Sequence, residues 1–106
     1  MTTDVYNLLT AAQDIIRDPE HWTQGTYART EGGHPCGAEE GFCFCSIGAL
    51  IKAADGDDLV RQQGRLFLYR AVNLISGEMG IAGFNDHNTH EEVMAAWDKA
   101  RELALA

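Results

Sequence analysis

Apolar side chains at Val5, Leu8, Leu9, Ala12, Ile15 and Ile16 recur at three- and four-residue steps, which puts them on one stripe of a helix. The pattern predicts a first helix over about residues 3–17, with Thr3 as its cap and Asp4 facing the positive end of the dipole. Asp18-Pro19 ends it, because the residue before a proline is pushed out of helical geometry. From Trp22 to Gly41 the periodicity disappears, and Gly25, Gly32, Gly33, Pro35, Gly37 and Gly41 punctuate a long loop. Thr23, Thr26 and Tyr27 favour a short extended run within it, enough for a brief β-strand or hairpin. Connections of this length are often functional.

A second helix is expected to start between Cys43 and Cys45 and to run to about Ala54, with Ile47, Leu50, Ile51 and Ala54 on its apolar face. Gly48 inside it costs about 1 kcal/mol relative to alanine, which a second backbone packed close against it would explain. Asp55-Gly56-Asp57 supplies a stop and a new cap. The third helix has its core over residues 65–75 and starts as early as Asp58; Leu66, Phe67, Leu68, Tyr69, Ala71, Val72, Leu74 and Ile75 make it apolar on nearly every side. That pattern predicts a buried central helix, ended by a turn containing Gly77, Gly80 and Gly83. The last helix, about residues 90–105, opens on Thr89-His90-Glu91-Glu92, a capping box, and turns Val93, Met94, Trp97, Ala100 and Leu103 inward. The expected fold is therefore mainly α: about four helices around a single core, with the Gly-rich loop between helices 1 and 2, and residues 1–106 forming one domain.

Composition narrows the classes. At 45% hydrophobic residues the chain can bury an ordinary core, and no apolar stretch approaches the ~20 residues that span a bilayer. The N-terminus lacks the basic head and apolar run of a secretory signal, so the expectation is a cytoplasmic protein without a membrane partner. A net charge of −8 with scattered basic residues argues against nucleic-acid binding, which draws its affinity from basic patches. The acidity reads first as solubility; only Asp55-Gly56-Asp57-Asp58 gathers carboxylates for a basic partner. Three cysteines, an odd number, make no disulfide framework, and reduced thiols are the default.

His34, Cys36, Cys43 and Cys45 are the candidate metal ligands, since thiolates and imidazoles suit tetrahedral zinc. The spacing opposes it: Cys43-x-Cys45 in an extended segment sends its two sulfurs to opposite faces. A small buried apolar role for Cys43 or Cys45 is the preferred reading, and no cofactor is expected. A second candidate is nucleophilic catalysis by Cys45, whose place at a helix start would lower its pKa, with His87 or His90 as base and Asn85 or Asp86 orienting it. No flanking signature of a cysteine hydrolase accompanies it. The block Asn85-Asp86-His87-Asn88 reads as a turn that satisfies its own backbone, and His21 and His34 as solvated loop residues. Phosphate-loop, His-Glu-x-x-His, calcium-loop and zinc-deaminase patterns are absent from the sequence.

Trp22-Thr23-Gln24-Gly25, Cys45-Ser46-Ile47-Gly48-Ala49 and Phe84-Asn85-Asp86 together resemble a family of small uncharacterised proteins of actinobacteria and their phages. That family carries a Trp-x-Gln-Gly turn, a Cys-x-x-Gly-Ala helix start and a Trp-Asn-Asp turn; Phe84 replaces its tryptophan here, and Cys36 and Cys43 fall outside the pattern. The resemblance implies a small helical domain with no assigned activity. It singles out Trp22, Gln24, Gly25, Cys45, Gly48, Ala49, Asn85 and Asp86, with an architectural role in which Asn85 and Asp86 bond the start of the second helix. The leading expectation is an acidic interaction or regulatory module, phage- or mobile-element-encoded, that docks on a host protein. The alternatives are a Cys45-dependent hydrolase or transferase and a small zinc domain.

Overall fold

The structure, a computed structural model, describes residues 2–77 and 80–106, with side chains from Asp4 onward. Its described residues form five α-helices: α1 (Thr2–Ile16), α2 (Ser46–Ala54), α3 (Asp58–Ser76), α4 (Ile81–His87) and α5 (His90–Leu105). The loop between α1 and α2 carries three two-residue strands, β1 (Ala28–Arg29), β2 (Pro35–Cys36) and β3 (Cys43–Phe44). They pair antiparallel in the order β2-β1-β3, with Ala28 opposite both Cys36 and Phe44. The expected hairpin in the Gly-rich loop is thus a small sheet, and single 3₁₀ turns at Pro19–His21 and Ala38–Glu40 compact the rest.

α1 buries Val5, Leu8, Leu9, Ala12 and Ile16, as the periodicity predicts. It already includes Thr2, so Thr3 lies inside the helix rather than before it, and the capping expected of the Thr3 side chain lies outside the described residues. Gln13, which interrupts the stripe, is nevertheless fully buried. Its Nε2 donates to Asp98 Oδ1 at 2.9 Å, and its Oε1 accepts from Arg101 Nη1 at 3.2 Å, so the amide bridges α1 to α5. Trp97 of α5 is fully enclosed at the centre, with Val93, Ala96, Ala100 and Ala104 buried on the same helix. Both halves of the predicted capping box are present: Glu92 N donates to Thr89 Oγ1, and Thr89 N donates to Glu92 Oε1.

Two elements depart from expectation. α3 does begin at Asp58, with Asp57 as its N-cap, but it is not a central helix. It buries only Gly64, Leu68, Ala71 and Val72, while Leu59, Leu66, Tyr69, Leu74 and Ile75 stay exposed. Gly64 explains how one narrow face suffices, because a Cβ there would stand 2.9 Å from Leu8 Cδ2 of α1. The second departure is α4, a fifth helix where a glycine-rich turn and a polar block were expected. Ile81 and Phe84, three positions apart, bury one face of it, and that tertiary gain outweighs the poor helix propensity of Gly83 and Asn85.

Candidate functional site

α2 starts in the protein interior. Ser46 is buried at its first position, and the chain before it is stitched to the residue preceding β1 by Cys45 N donating to Tyr27 O at 3.1 Å. Gly48 lies against that same carbonyl: an added Cβ would overlap Tyr27 O, so the glycine marks a close backbone crossing as its sequence position suggests. A helix start without water must find acceptors for its free amides within the protein. Cys45 is the N-cap, and its Sγ accepts from Gly48 N at 3.4 Å.

The other acceptor is Asn85, fully buried on α4. Its Oδ1 receives Ser46 N at 3.0 Å, Ser46 Oγ at 2.9 Å and Trp22 Nε1 at 2.9 Å. Its Nδ2 donates to Thr23 O at 3.0 Å and to Asp86 Oδ1 at 3.3 Å. Ser46 Oγ in turn accepts from Trp97 Nε1 at 3.1 Å, which extends the chain of bonds to α5. Around this centre Gln24 Nε2 donates to the carbonyls of Asn85 and Asn88, and Gly25 N donates to Asp86 Oδ1 at 2.9 Å. The three motifs that carry the family resemblance therefore meet in space. Asn85 bonds the start of α2 as anticipated, whereas Asp86 holds the Gly25 turn instead.

The candidate nucleophile is placed differently from its expectation. Cys45 is buried, and burial pushes its thiol pKa up; amide hydrogen bonds from Gly48 and Ile47 pull the other way, and the Asp86 carboxylate adds to the rise. Desolvation outweighs the helix start. His87 is exposed, with Nδ1 on Gly83 O at 2.8 Å, and half-buried His90 has Nε2 on Ile16 O at 2.7 Å and its ring edge-on to Trp22. Among the described residues neither imidazole hydrogen-bonds Cys45. Asp86 is close enough for its charge to act on the thiol, but its oxygen is spent on Gly25 and Asn85.

The metal candidates do not converge either. Cys36 and Cys43 lie on strands flanking β1 from its two sides, and Cys43 Sγ reaches Arg29 O at 4.0 Å while Cys45 Sγ turns to α2. His34 is exposed on the loop. All three cysteines are free thiols, and among the described residues no three His, Cys, Asp or Glu side chains gather as ligands. His21, expected in solvent, has its Nδ1 on Phe42 O at 2.7 Å, with its ring against the Phe42 ring.

Sequence reasoning missed Ser46, Trp97 and Gln13 as members of the buried polar framework. The signal for Gln13 is a polar residue four places after Leu9, where the apolar period demands burial, whereas Trp97 was read for its inward ring and not for its N–H.

This arrangement defines a class: a small, mainly helical domain whose long first loop is tied down by a buried amide at the start of an inner helix. No described helix is long and apolar enough to cross a membrane. The chain belongs to DUF6197, a family of unknown function whose model matches residues 1–103. No curated protein and no solved structure matches it.

Proposed function

We propose that this protein is a non-catalytic interaction module that works by docking on another protein chain through the outer face of α3. The observation that carries the reading is the exposure of that face: Leu59 is 68%, Leu66 52%, Tyr69 46% and Leu74 65% exposed on one helix. Four large apolar groups left in water on one element are a cost that a partner removes. The residues with chemical potential support the same reading from the other side. Asn85, Asp86, Gln24 and Cys45 are committed to hydrogen bonds that hold the fold. The resemblance to small actinobacterial and phage proteins supports a regulatory role exerted by such docking.

A photo-reactive side chain placed at position 66, with a control at exposed Glu31 in the first loop, tests this in cells. The expected result is a discrete cross-linked species from position 66, lost when Leu59 and Tyr69 are changed to serine. Equal products from both positions, or none from position 66, would overturn the reading.

A further inference from the structure

We draw no further inference here: the strongest candidate, the apolar outer face of α3 around Leu59, Leu66 and Tyr69, carries nothing beyond the docking already proposed, because it lies open to solvent and nothing in the structure shows what covers it.

Discussion

The carbonyl of Tyr27 occupies the place where a side chain on Gly48 would begin. The loop and the inner helix can approach this closely only because residue 48 has no Cβ. Gly48→Ala must push the β1 segment away and strain the Cys45–Tyr27 backbone bond beside it. Although alanine is the better helix former, the substitution is expected to destabilise by about 2–4 kcal/mol, as overpacking at a backbone contact does. Thermal denaturation measures it, and an alanine variant as stable as the parent would contradict the crossing.

Asn85 and Asp86 are adjacent but unequal. Asn85→Ala strands Ser46 N and Trp22 Nε1 without their acceptor, and each buried orphan costs about 1–3 kcal/mol. Asp86→Ala loses the turn bond from Gly25 and the longer one from Asn85 Nδ2, but leaves Asn85 its bond to Thr23 O, and is expected to cost about 1 kcal/mol. Urea unfolding of both variants is expected to rank them in that order, and an Asp86→Ala variant of unchanged stability would remove its architectural role.

Cys45 gives a pH signature. Its folded-state pKa is raised, so the unfolded chain gives up the thiol proton first. Stability from this group is complete below the unfolded value of ~8.5 and is lost as pH rises from there through the higher folded value. Melting temperature is expected to fall across that alkaline window in the parent, and to fall less in Cys45→Ala. Native alkylation at neutral pH should spare Cys45 while modifying half-buried Cys36 and Cys43 first. Rapid modification of Cys45 at pH 7 would instead favour the enzyme reading.

Metal removal distinguishes the zinc reading. A structural zinc site contributes its binding energy to folding, so a chelator unfolds such a domain. Because Cys36, Cys43 and Cys45 turn to different surroundings, dialysis against EDTA is expected to leave the melting temperature unchanged. A fall of ten degrees or more, reversed by zinc, would reinstate it.

Much of the architecture was legible in the pattern of side chains. α1 and α2 follow from their period and α5 from its period and capping box, and Gly48 announced the close crossing by its cost alone. α3 misled because hydrophobicity all round is read as burial, whereas Leu59, Leu66 and Leu74 face outward and only Leu68 faces the core; composition does not say which side of a helix has a neighbour. α4 was hidden because Gly83, Asn85 and Asp86 are turn formers, and only the docking of Ile81 and Phe84 makes them helical. The motifs Trp-Thr-Gln-Gly and Asn-Asp were visible as words, but their meeting depends on bonds spanning 61 to 63 positions, which no local rule reports. The thiol's polarity of shift was misjudged for a related reason: helix position is written in the sequence, solvent access is not.

The span of those bonds has a kinetic meaning. Residues 22–25 meet residues 85–86 across 61 to 63 positions through a handful of bonds, so closing this loop costs entropy that little apolar burial offsets, and it is expected to settle late. It should also be the first unit to let go. Amide exchange would then show residues 22–45 opening together, well before the helical core melts, with Asn85 acting as the latch that sets how often they do.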